Sequence, residues 1–228
     1  MEEPKIIYED KNILVVDKPA GLEVAAQIEK GEPTLVDWLI KKYPSIAHVG
    51  PDPARPGIVH RLDKNASGIL LVAKTEAAFE SLGSQFKNRT VKKEYTVLVH
   101  GELTQDEGTI EFPIARAKSG RFAALPLGSE KGRMAVTEYE VKKHFKNFTL
   151  LKVRIKTGRT HQIRVHLFAL GYPVVGDNLY QNKKTKNQPI GRLFLHAEKL
   201  GIEGLDGERL EFENGLPKEL ADFLETLK

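Results

Sequence analysis

Seven short runs punctuate the chain and limit its fold more than any other feature: KIIYE, NILVVDK, GIVHRL, GILLVAKT, VKKEYTVLVHG, AVTEYEVKKHF and FTLLKVRIKTG. Each has strand length and is rich in β-branched or aromatic residues. KEYTVLVH and TEYEVKKH alternate apolar with polar residues, the period of a half-exposed strand. Helical patterns are scarcer. TLVDWLIKKYP starts at Thr34 and halts near Pro44, and TEAAFESLGSQFKN opens on Thr75. THQIRVHLFALG runs from a capping Thr160 to a terminating Gly171, and LPKELADFLETLK follows at the C-terminus. Strands outnumber helices and do not alternate with them. This pattern excludes a doubly wound sheet and predicts an α+β fold with a mixed, mainly antiparallel sheet flanked by helices. With no internal repeat, low-complexity tract or linker, residues 1–228 read as one domain.

Composition narrows the chemistry. The 228 residues contain no cysteine, which excludes disulfides, thiolate zinc sites and a cysteine nucleophile. MEEPKIIYED lacks the basic start and apolar core of a signal peptide, and no apolar run approaches a membrane span, so a soluble cytoplasmic protein is expected. The net charge of +4 is unevenly distributed. Val141 to His166 holds eight Lys or Arg and no acid, whereas Glu198 to Lys228 holds nine acids and four bases. A bare basic stretch inside a folded domain suggests a surface for a polyanion. Three loops stand out as surface connections: His48–Gly57, Arg116–Arg133 and Gln181–Gly191.

Three local patterns can bear chemistry, and each also has a structural reading. In HRLD, read as a strand end, Arg61 and Asp63 share a face while His60 and Leu62 take the other. The pair is either an ion pair capped by the DKNASG turn or a reactive acid beside a cation. In TGRTHQIRVH, Arg159 and Arg164 are phosphate clamps or surface charge. His161 and His166 are five apart with no HExxH pattern, which argues against zinc. In KKEYTVLVH, Tyr95 behind Lys92 and Lys93 is a packing residue or a base-stacking platform.

Taken together, VDKPAGL, HRLDKNASGILLVAKT, KEYTVLVHG, TGRTHQIRVHLFALGYPVVGDNLY and RLFLHA closely resemble, in order, the motifs of the RluA-type pseudouridine synthases, from about Ile7 to about Leu200. The resemblance implies an α+β domain with a substrate cleft and an enzyme that isomerises uridine to pseudouridine in ribosomal or transfer RNA. It gives Asp63 the role of catalytic carboxylate, Arg164 that of its cationic partner, and Tyr95 that of the stacking residue. Arg61, Lys18, Arg159 and His161 form the expected RNA-contacting set. It implies no metal or cofactor, and RNA is the expected partner of a monomer. A lone acid suits isomerisation. A glycoside hydrolase would usually need a second carboxyl group ~5 to 9 Å away to activate water, whereas an isomerase keeps water out. Gly68, Gly158 and Gly171 read as backbone requirements.

Three features depart from the family pattern. Ala66 replaces the usual threonine, Glu198 follows LHA where an aromatic is common, and the sequence opens directly on catalytic-domain motifs without the S4-type RNA-binding domain of many relatives. The rival readings are a non-catalytic RNA-binding module, which would be expected to have lost Asp63, Tyr95 or Arg164, and an N-glycosylase. The latter would need a water-activating acid, for which Glu23 and Asp17 are the candidates.

Overall fold

Apolar alternation and local capping account for most of the elements in the computed structural model, which describes residues 2–26, 31–183, 185 and 190–228. In chain order these are β1 (Lys5–Glu9), β2 (Ile13–Lys18), α1 (Leu35–Lys42), a 3₁₀ turn (Pro44–His48), β3 (Ser67–Ala73), α2 (Glu76–Asn88), β4 (Lys92–His100), β5 (Glu107–Arg116), β6 (Phe122–Ala124), β7 (Arg133–Phe145), β8 (Phe148–Ile155), α3 (Gln162–Ala169), β9 (Leu195–Glu203), β10 (Arg209–Glu213) and α4 (Lys218–Glu225). The architecture is α+β, as the strand-rich pattern predicts. The backbone divides into two compact units where the sequence reads as one domain: Met1–Lys93 with Ala197–Asn214, and Glu94–His196 with Gly215–Lys228. Of the loop Gln181–Gly191, residues 184 and 186–189 lie outside the described residues. No described helix is long and apolar enough to cross a membrane.

In the first unit the strands run in the order β1-β2-β3-β9, with β10 antiparallel to β9. β2 and β3 pair in the register Ile13↔Ala73 through Lys18↔Gly68. Every residue of β3 is buried. Ile13 and Val15 of β2 join Ile69 and Leu71 of β3 in the core cluster that includes Ala78 and Leu82 of α2. α1 starts on a capping box, in which the Thr34 hydroxyl accepts from the Asp37 N–H and the Asp37 carboxylate accepts from the Thr34 N–H. Thr75 caps α2 by accepting from the Ala78 N–H.

The second unit orders its strands β4-β8-β7-β5-β6, in antiparallel ladders. Leu98, Phe145, Val175, Phe194 and Leu220 form one core cluster. Ile114, Ala135, Val165 and Tyr180 form another, which includes a residue of α3.

Four expectations change. GIVHRL forms no strand beyond a single bridge between Ile58 and Val72. β4 is buried from Tyr95 to Val99, on both faces, rather than half-exposed. β5, β6, β9 and β10 lack apolar runs clear enough to read as strands. α3 begins at Gln162, and its N-cap is His161 in the left-handed region at φ 55°, not Thr160.

Candidate active site

The HRLD turn of the first unit is built by partners distant in sequence. The His60 side chain accepts the Leu71 N–H through Nε2 at 2.9 Å, taking a donor that a ladder carbonyl would otherwise use. This explains why the segment leaves the sheet and why Arg61 and Asp63 lie on a turn rather than on one strand face. The His60 ring stacks on Phe86, with centroids 4.7 Å apart and 19° between planes. Burial, with the Lys93 ammonium adding to it, lowers the His60 pKa to about 3, so the ring is neutral.

Downstream, the Asp63 carbonyl accepts from the Ala66 N–H at 3.1 Å. The Lys64 carbonyl accepts from the Gly21 N–H at 2.8 Å and from Lys18 Nζ at 3.1 Å. Lys18 also donates to the carbonyls of Pro19 at 2.9 Å and Leu22 at 2.8 Å. It is 0% exposed. An ammonium buried behind the turn and bonded to three carbonyls acts as a strut, tying residues 19–22 to the residue after Asp63. Arg61 is exposed and Asp63 half-buried.

Gly68 closes the turn at φ 112°, and a Cβ there would stand 2.2 Å from the Ala197 carbonyl oxygen, so only glycine fits. Gly158 has open space around it and no φ in the left-handed region, so a side chain fits there without backbone strain.

In the second unit, Arg164 extends from α3 into a buried network. Its Nε donates to Asp177 Oδ2 at 2.7 Å and its Nη2 to Asp177 Oδ1 at 2.8 Å. Asp177 Oδ1 also accepts the N–H groups of Leu179 at 2.8 Å and Tyr180 at 3.0 Å. The guanidinium stands 5.1 Å from the centroid of the Tyr180 ring, and the Tyr180 hydroxyl bonds His161 Nδ1 at 2.9 Å. Tyr180 thereby joins Arg164 to His161, whose ring also meets the edge of Phe122 at 5.8 Å. Asp177 and Tyr180 have no role in the sequence reading; the only signal for them is their place in the GDNLY block. Arg159 Nε donates to the Met134 carbonyl at 3.2 Å. Tyr95 is 7% exposed on β4, opposite Val153.

The stretch from Val141 to His166 is less basic in the fold than in the sequence. Lys152, Arg154, Lys156 and Arg164 form ion pairs with carboxylates of neighbouring segments, and Lys142 pairs with Glu140 on its own strand.

The profile of the family described as RNA pseudouridylate synthase matches residues 12–169, a span that contains the HRLD turn, Tyr95 and Arg164. The chain is 42% identical over 224 residues to "Uncharacterized RNA pseudouridine synthase YlyB" of Bacillus subtilis (strain 168), covering 98% of this chain and 72% of that protein. It is 38% identical over 238 residues to "Ribosomal large subunit pseudouridine synthase D" of Pseudomonas aeruginosa, covering 99% and 72% respectively. Among solved structures, "Human RNA Pseudouridylate Synthase Domain Containing 1" superposes with a TM-score of 0.79 at 29% identity, covering 95% of this chain and 84% of that one.

Proposed function

We propose that this chain, which belongs to the RNA pseudouridylate synthase family and is an RNA pseudouridine synthase rather than a non-catalytic RNA-binding module, isomerises uridine in large-subunit ribosomal RNA with Asp63 as its one catalytic carboxylate. It acts as a cytoplasmic monomer. Relatives named for the large ribosomal subunit favour ribosomal over transfer RNA.

The reaction cuts the N1–C1′ bond, turns the freed base and joins C5 to C1′; the proton lost from C5 is balanced by a proton gained at N1. Atoms are conserved, so no water enters. Asp63 acts at the sugar or base, and a carboxylate in a closed site needs a cation to offset its desolvation. The family resemblance gives that role to Arg164, whose guanidinium is held in orientation by Asp177. Tyr95 stacks on the target base, a contact worth ~1–3 kcal/mol against the few kcal/mol needed to extrude a nucleotide. Arg61, exposed beside Asp63, helps to hold the extruded state, and Arg159 and His161 contact the RNA.

The observation that best supports this reading is the clamped turn within the family-matched span: Lys18, Gly21 and Ala66 bond the backbone on and beside Asp63. Such clamping preorganises a reactive acid. Pseudouridine mapping tests it. Unmodified large-subunit RNA and transfer RNA transcripts are incubated with wild type or Asp63→Asn, marked chemically and read by primer extension. A stop on the large-subunit RNA with wild type alone is expected. Product formation by Asp63→Asn at a rate near wild type would overturn the assignment of Asp63.

A further inference from the structure

One cation beside the HRLD turn has no part in the chemistry above. Lys93, near the start of β4, is half-buried. Its Nζ stands 5.6 Å from the centroid of the Phe86 ring, the same ring that stacks on His60 at the head of the turn. Among the described residues no carboxylate pairs with Lys93, whereas Lys142, Lys152, Arg154 and Lys156 all have one. The other ionisable group packed on Phe86 is His60, which is neutral and supplies no counter-charge. Burial lowers the Lys93 pKa, the mark of an ammonium that has lost water without gaining an anion. The face of a ring compensates a cation only in part. Strand alternation directs Lys93 and Tyr95, two residues apart, to the same side of β4.

We propose that Lys93 is an anion subsite that takes a backbone phosphate of the RNA next to the extruded uridine. This rests on the RNA-substrate reading above. A compact ammonium holds phosphate as a point charge, and the phosphate supplies the counter-charge that the fold withholds. The unliganded protein bears the cost of an under-solvated cation, and RNA binding relieves it. Binding energy is thereby concentrated beside the turn that carries Asp63.

The test is fluorescence anisotropy with a fluorescein-labelled, uridine-containing RNA hairpin, titrated across a salt series against wild type, Lys93→Met and Lys93→Arg, with thermal melts of each protein. Loss of one phosphate contact should flatten the slope of log affinity against log salt by about 0.7–0.9 and weaken binding roughly five- to tenfold near 0.1 M salt. Lys93→Met should melt at or above the wild-type temperature, because it removes a desolvated charge, and Lys93→Arg should restore the slope. Wild-type affinity and slope in Lys93→Met would overturn the subsite, as would a melting temperature that falls together with affinity. Wild type that fails to bind the hairpin at any salt concentration would overturn the RNA-substrate reading itself, whereas wild-type behaviour of Lys93→Met on a hairpin that wild type does bind overturns the subsite alone, so the two failures are distinguishable.

Discussion

Replacing Asp177 with asparagine puts the Arg164 network under a quantitative test. The carboxylate accepts hydrogen bonds from Nε and Nη2 of Arg164 and from the N–H groups of Leu179 and Tyr180. Three of them end on Oδ1, so an asparagine oxygen placed there retains the two backbone donors and Nη2. Its amide nitrogen then faces Arg164 Nε, donor against donor, and the charge that balanced the guanidinium is gone. Arg164 is 5% exposed and Asp177 1% exposed, so water cannot easily replace the lost partner. Removing the acidic member of a buried ion pair costs up to ~3–5 kcal/mol, and Asp177→Asn should lose stability of up to that size.

The double variant Arg164→Met with Asp177→Leu removes both charges and should regain part of the loss. Recovery stays incomplete because the Leu179 and Tyr180 N–H groups lose their acceptor, at ~1–3 kcal/mol each. Equilibrium urea unfolding followed by far-UV circular dichroism measures both variants. The single tryptophan, Trp38, lies on α1 of the first unit and is a poor reporter for a change in the second. A loss below ~1 kcal/mol for Asp177→Asn would refute the reasoning.

Two further outcomes follow from the first unit. The folded-state pKa of His60, about 3, lies below the ordinary value of 6.5, so the unfolded chain binds a proton between these values that the fold does not. The His60 contribution is therefore complete above pH 6.5 and is lost as pH falls towards 3, at up to ~1.4 kcal/mol per pH unit. His60→Gln should flatten the acid limb of a stability–pH profile, and equal slopes in both proteins would count against it. Lys18→Met leaves the carbonyls of Pro19, Leu22 and Lys64 short of a donor, at ~1–3 kcal/mol for each that stays buried. It should lower the melting temperature and abolish product while RNA affinity holds. Weakened RNA binding at an unchanged melting temperature would return Lys18 to the RNA-facing role.

What could be read from residues alone was local or cumulative. Apolar runs such as NILVVDK and GILLVAKT state their strands because burial on both faces demands unbroken hydrophobicity. Thr34 and Thr75 mark their helices because a cap acts within one turn. The two motif blocks identify the family because they preserve residue order and spacing. Tertiary structure decided what depends on partners far along the chain. His60 removes its segment from the sheet by accepting the N–H of Leu71, and no local signal announces that acceptor. Lys18 reads as an RNA-contacting cation, and only the fold shows the carbonyls of Pro19, Leu22 and Lys64 accepting from it. The run from Val141 to His166 reads as a bare basic face until strand register sets Glu94 and Glu138 opposite Arg154, and Glu140 opposite Lys152. The sequence alone thus determined the residue types of the site and their order. Burial and counter-charge were decided by the fold, because both depend on which distant groups packing brings within a few ångströms.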